Sequence, residues 1–266
     1  MAAVLVSLGY FLIWPVILLL INSFNTAADW FVEPRSWGLR HWQNAFQRPG
    51  LLRSLGNSLL IWSLTVATSF PIGVTIAWIL ARSKIPFSRT LEFMFWISYM
   101  VPALPTTIAW ITLLDPDIGW INVGLTKLGL FEQGPFNIFS VPGIVFANLM
   151  GHGISIKVML LTPAFRNMDA SLEEAARVGG ASNLRTLFKV TLPLMISPMI
   201  LVMALQLLRV FQSFETEYLL GLPFGFYVYS TKIFALIRDP IPNYGEATVL
   251  ASITLLMIAL IIPLQR

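Results

Sequence analysis

The chain has 266 residues, 56% of them hydrophobic and 11% charged, with a mean hydropathy of +0.76 and a net charge of +4. Soluble domains carry roughly 25% charged residues, so the composition excludes an ordinary water-solvated domain, and the slight excess of Lys and Arg forms no dense basic patch of the kind nucleic acid requires. There is no cysteine, which excludes disulfides, thiolate metal sites and a cysteine nucleophile.

A membrane helix needs about 20 predominantly apolar residues. On that criterion six spans are predicted near residues 3–23, 57–81, 92–114, 141–163, 194–214 and 246–264, forming one membrane domain over 1–266. No segment alternates with period two, which argues against a barrel and for an all-α fold. The first span has no basic stretch before it and is longer than the apolar core of a cleaved signal, so it reads as retained. Behind it, "SWGLRHWQNAF" sets Leu39, Trp42 and Phe46 at i, i+3 and i+7, with Trp30 and Trp37 nearby. That spacing suits a short helix at the membrane surface, whose plainer role is to anchor the first two spans. Several spans contain Pro or Gly (Pro15, Pro71, Pro102, Pro105, Gly151, Gly153), which a span tolerates where neighbours satisfy the freed backbone groups.

Lys and Arg in the connections orient the spans. Arg82, Lys84 and Arg89 lie in the second connection, and Arg166, Arg177, Arg185 and Lys189 in the fourth. Both are expected to be cytoplasmic, which places both termini inside. Against this, Arg35, Arg40, Arg48 and Arg53 would lie outside, in a longer connection that weighs less in the rule.

Within the fourth span, His152 falls near the middle and Lys157 nearer the inner end. Ionisable groups at membrane depth are functional candidates. For His152 a hydrogen-bonded packing role and a transport-path role both stay open. A metal site is disfavoured because no second His or carboxylate stands at ligand spacing. Lys157 is expected to snorkel to the cytoplasm. In the fifth span Gln206, Arg209, Ser213 and Glu217 recur at i, i+3, i+7 and i+11, predicting one polar stripe. Such a stripe either makes interhelical hydrogen bonds or walls a path for a hydrophilic solute.

Between these two spans lies a polar cassette, "SLEEAARVGGASNLRTLFKVTLPL". Ser171 and Glu174 read as a capping box that starts a helix at Leu172. Gly179 and Gly180 stop it, and Ser182 caps a second short helix running to Pro193. Catalytic motifs are absent: there is no G-x-x-x-x-G-K-[ST], no H-E-x-x-H and no G-x-S-x-G. No catalytic residue is assigned, and any ATP must be bound by another chain.

Through Glu174, Ala175, Ala176, Gly180, Val190, Leu192 and Pro193 the cassette spells E-A-A-x3-G-x9-V-x-L-P without a gap. This resembles the EAA motif of binding-protein-dependent ABC importer permeases, whose consensus has Ile at the position of Val190. The pieces "PFNIFSVPGIVF", "SFETEYLLGLPFGFYVYSTKI" and "PIPNYGEA" are similar to half-permeases of the ferric-iron type. The resemblance implies the type I importer fold of six transmembrane helices with a cytoplasmic coupling helix, in a bacterial inner membrane. It implies that the EAA residues dock on a separate ABC ATPase, which holds the ATP and magnesium, this chain carrying no cofactor of its own. The further implied partners are a periplasmic or lipid-anchored solute-binding protein, membrane lipid, and a second permease half that is identical, related or fused. The chain's apolar start and its end on "IIPLQR" would suit the first half of a fused protein. Ferric iron is the first substrate implied, with polyamine, thiamine and phosphonate as alternatives. Two readings from other classes remain. An ion-coupled secondary transporter would show inverted repeats and midplane charges, and a membrane enzyme would rest on His152 alone.

Overall fold

The structure is a computed structural model that describes residues 2–27 and 36–261. It is all-α. Among the described residues the only extended pairing is an isolated antiparallel bridge between Asn25 and Trp37.

The first helix, α1, spans Ala2–Asn22. α2 follows at Arg40–Gln47, where the spacing of Leu39, Trp42 and Phe46 predicts it. Leu39 and Phe46 are exposed, Ala45 is buried, and Trp42 stacks on Phe24 with centroids 5.5 Å apart. Trp30 and Arg35 lie outside the described residues. α3 runs over Leu51–Arg82. At 32 residues and 1.5 Å per residue it is about 48 Å long. Among the described residues it is the one unbroken helix long and apolar enough to cross a membrane alone.

The span expected over 92–114 is instead two half-helices, α4 (Ser88–Met100) and α5 (Ala103–Leu114), meeting at 98°. The cause is local. Pro102 cannot donate a backbone hydrogen bond and pushes Val101 into an extended conformation (φ −69°, ψ 126°), so the helix must end and restart. The connection that follows carries α6 (Trp120–Lys127). Buried Asn122 pins it, donating to the carbonyls of Asp115 and Phe136 and accepting from the Phe136 N–H.

The fourth span comprises α7 (Val141–Asn148), a π-helical segment at Leu149–Gly153 and α8 (Ser155–Asn167), bent by 41°. The Ser140 hydroxyl caps α7 by accepting from the Gly143 N–H. In the cassette, α9 (Ser171–Val178) and α10 (Asn183–Thr186) are followed by a second π segment (Leu187–Thr191) and the short α11 (Leu192–Leu194). A 65° bend then leads into α12 (Ile196–Arg209). The fifth span is thus shorter than the 194–214 predicted. The region beyond it, read from sequence as a connection, contains α13 (Glu215–Gly221) and α14 (Tyr229–Arg238). α15 covers Tyr244–Ile261, opened by an Asn243 carboxamide that accepts from the Glu246 N–H. Residues 262–264 of the predicted sixth span lie outside the described residues.

The chain divides into two compact units, Met1–Ser58 with Tyr227–Arg266, and Leu59–Phe226. In the first, α15 packs against α1, α2 and α14. Arg48 anchors this unit by donating to the buried Glu246 carboxylate at 2.6 Å, with Asp239 at 3.7 Å from the same guanidinium. The second unit has two apolar cores. Ile61, Leu114, Ile144, Val145 and Leu220 build one, and Val74, Ala77, Leu161, Phe165, Met195 and Val202 build the other.

Candidate functional site

Two constellations in the second unit carry chemistry, the polar cassette and a polar cluster where helices break.

The cassette helix α9 starts one residue earlier than a capping box at Ser171 requires. Ser171 is already helical, and no side chain caps from Ala170. The capping-box expectation is therefore corrected: the Asp169 carboxylate takes the role, accepting from the Ser171 N–H at 2.9 Å in an Asx-type turn. That bond from the Ser171 N–H, with the Ser171 side chain adding to it, holds the Asp169 carboxyl below its ordinary range. The far end of α9 closes as the sequence predicts. The Ala181 N–H donates to the Ala176 carbonyl and the Gly180 N–H to the Arg177 carbonyl, with Gly180 at φ +83°. This is a Schellman turn, with glycine at its left-handed position. The Ser182 hydroxyl then accepts from the Arg185 N–H to cap α10.

The seven motif residues divide by burial. Glu174, Ala175, Gly180 and Pro193 are exposed and Ala176 half-buried, whereas Val190 and Leu192 are turned partly inward, Leu192 against the core of Phe165 and Met195. Apolar residues stand out beside the exposed ones: Leu172, Leu184, Phe188, and Val178 at 90% exposure. A polar, amphipathic segment that leaves such side chains in the open suits a docking surface.

Glu173, which the motif does not mark, is the buried charged residue of the cassette at 6% exposure, alongside the buried Thr186 and Thr191. Its Oε2 lies 3.1 Å from Arg82 Nε at the end of α3, and its Oε1 accepts from the Thr191 hydroxyl at 2.6 Å. Sequence reasoning missed it because a single Glu in a polar loop gives no sign of burial.

The second constellation gathers at the breaks. The π segment presents His152 edge-on to Tyr99, the ring centroids 5.6 Å apart and the planes at 88°. Arg209, the last residue of α12, donates to the Tyr99 hydroxyl at 3.0 Å and sits 5.8 Å over its ring. The Ser98 hydroxyl donates to the Gly151 carbonyl at 3.3 Å. Tyr99 therefore joins two sequence candidates, His152 and Arg209, and was itself not foreseen. Gln206 is buried one turn back on α12.

The single stripe predicted over Gln206–Glu217 does not exist. α12 ends at Arg209, whose carbonyl accepts from the Gln212 and Ser213 N–H groups in a turn, so Ser213 leaves the helix and Glu217 belongs to α13. Glu217 is buried, accepting at Oε1 from the Asn148 amide at 2.9 Å, while the neighbouring Thr216 hydroxyl bonds Thr107.

Lys157 does not snorkel. It is fully buried, with its ammonium donating to the Gly153 carbonyl at 2.7 Å. The π segment explains this. The Lys157 N–H bonds the Ile154 carbonyl, leaving the Gly153 carbonyl to the ammonium. Gly73 of α3 lies against the Lys157 stem, where an added Cβ would stand 2.6 Å from Lys157 Cβ.

Broken helices around a polar cluster, together with an exposed amphipathic cassette, suit a membrane transport component with a docking face. The family model for binding-protein-dependent transport system inner membrane components matches residues 69–266, and the chain belongs to that family. It is 26% identical over 275 residues to the inner membrane ABC transporter permease protein YcjO of Escherichia coli (strain K12), covering 100% of this chain and 91% of YcjO. It is 29% identical over 223 residues to a probable sulfate transport system permease protein cysT of Zygnema circumcarinatum, covering 81% of this chain and 74% of the other. In fold it is similar to a bacterial ABC transporter involved in import of the acidic polysaccharide alginate, with a TM-score of 0.80, 19% identity, and coverage of 99% and 92% of the two chains. The chain is an ABC importer permease of the type I fold and not an ATP-hydrolysing enzyme. The ferric-iron expectation finds no support in these relatives.

Proposed function

We propose that this chain is one permease half of an importer. A separate ATPase docks on the exposed face of the cassette, a second half completes the path, and a solute-binding protein delivers the solute from the opposite side. The observation that carries this reading is the exposed EAA face of α9, closed by the Schellman turn at Gly180. In this arrangement residues 82–90 and 164–193, and both termini, face the cytoplasm. Lys84 and Asn183 are exposed, and the chain has no native cysteine. Lys84→Cys and Asn183→Cys are expected to react with an impermeant thiol reagent only after the cells are permeabilised. Labelling of either in intact cells refutes the orientation.

The solute path on this half runs past Tyr99, His152 and Arg209, with Gln206 beside them. Ser213 and Glu217 are secondary to it, because Glu217 is engaged by Asn148. A guanidinium held by a tyrosine hydroxyl and ring, with no carboxylate paired to it among the described residues, suits a solute bearing an oxyanion. The sulfate transport permease among the relatives supports that class over ferric iron. Arg209→Ala is expected to lower uptake at least about tenfold, the equivalent of one charge-assisted hydrogen bond, and Gln206→Leu to lower it less. Both variants should copurify with the ATPase at wild-type yield. Competition by sulfate, a phosphate monoester, a uronate oligosaccharide and a neutral disaccharide sorts the solute class. Competition by the neutral sugar alone refutes the oxyanion assignment.

A further inference from the structure

Three contacts converge beneath the cassette. Arg82 Nε lies 3.1 Å from Glu173 Oε2, and the Arg82 Nη2 donates to the Met168 carbonyl at 2.8 Å. The Thr191 hydroxyl donates to Glu173 Oε1 at 2.6 Å, and Thr191 itself is 1% exposed. The guanidinium of the last turn of α3 thus holds the strand of chain entering α9, the carboxylate of α9 itself, and through that carboxylate the segment leading to α12. The exposed docking face of α9 makes none of these contacts.

From this geometry we infer that Glu173 and Arg82 are positioning residues that lock the cassette to α3 and to the root of α12, so that a displacement of α9 by the ATPase moves the three as one body. The inference rests on the coupling role proposed above. Glu173 does not touch the ATPase in this arrangement. It acts by denying the cassette an independent motion. A largely buried ion pair transmits such a displacement because separating it takes each charge from its counter-ion where little water reaches, which is more costly than bending an exposed loop. Thr191 adds a short hydrogen bond to the same carboxylate, so the lock closes both ends of the cassette.

The test places spin labels at Ser83→Cys, just past α3, and Ser171→Cys, the first residue of α9, in the full chain assembled with its ATPase and second half in lipid nanodiscs. Both positions are exposed. With the native pair, the distance distribution between the labels is expected to stay single and unchanged when a non-hydrolysable ATP analogue is added. With Glu173→Gln, which keeps the shape and the Thr191 partner but removes the charge, the analogue is expected to shift the distance by about 2 Å or more, the scale of helix shifts at switching interfaces, or to split it. The double variant Glu173→Gln/Arg82→Gln leaves no orphan charge, so it separates loss of the lock from loss of stability. It too is expected to show the nucleotide-dependent shift while retaining the ATPase. An unchanged single distance in the double variant overturns the inference, as does a shift of that size with the native pair. Failure of the unsubstituted chain to hold the ATPase would instead overturn the coupling role itself, an outcome read from copurification before any distance is measured.

Discussion

Gly180→Asp is expected to yield a protein that inserts at normal levels and does not retain its ATPase. Gly180 sits at φ +83° in the turn that ends α9, a conformation any side chain adopts at a cost of roughly 1 kcal/mol. Among the described residues, none beyond its two chain neighbours has an atom within 4 Å of where its Cβ would be. Within the chain, therefore, the substitution introduces strain and no collision, too little to unfold a multi-span protein. The open space is where the proposed partner docks. An aspartate there projects into that interface and must be desolvated without a counter-charge, so its effect exceeds that of Gly180→Ala. Gly179, with ordinary negative φ, is expected to tolerate alanine. Copurification of the ATPase, measured alongside membrane yield, decides the matter. Normal ATPase retention by Gly180→Asp would show that the cassette is a solvated loop with no docking role.

Gly73→Ala is expected to fail differently, by destabilising the permease itself. Here the added methyl meets Lys157 Cβ at 2.6 Å and Cδ at 3.1 Å. The nearest obstacle is the atom next to the Lys157 backbone, not the tip of a flexible side chain, so relief requires α3 and α8 to move apart. Overpacking of this kind costs about 1–3 kcal/mol, and in this core it also disturbs the bond from the Lys157 ammonium to Gly153. The expected reading is a lowered melting temperature in detergent, together with reduced recovery of monodisperse protein. Lys157→Ala is not expected to rescue it, because alanine retains the offending Cβ. Lys157→Gly should, in part. Rescue by Lys157→Ala would mean that the long stem, and not the close backbone approach, sets the packing at this crossing.

Much of this protein was legible in the sequence because lipid and water impose local rules. Apolar runs of membrane length located α1, α3 and α15, and the i, i+3, i+7 spacing of Leu39, Trp42 and Phe46 located α2. The glycine pair after Val178 fixed the end of α9, since left-handed backbone is a property of one residue and its neighbours. The gapless EAA pattern pointed to the family for the same reason: its positions lie within one short stretch of sequence. Even the break at Pro102 has a local cause, although a hydropathy reading carries the span straight through it.

Tertiary structure decided where polar groups go once several helices compete for them. Periodicity alone puts Gln206, Arg209, Ser213 and Glu217 on one face, but that presumes an unbroken helix, and α12 stops at Arg209. Hydropathy alone lets Lys157 reach for water. Burial against Gly73 and a carbonyl left over by the π segment turn its ammonium inward. Tyr99 and Glu173 carry no mark in the sequence, because each draws its role from a residue far along the chain: Tyr99 from His152 and Arg209, Glu173 from Arg82 and Thr191. Propensity and hydropathy act over a few residues, whereas the pairing of a buried charge depends on which helix ends the fold brings within hydrogen-bonding distance.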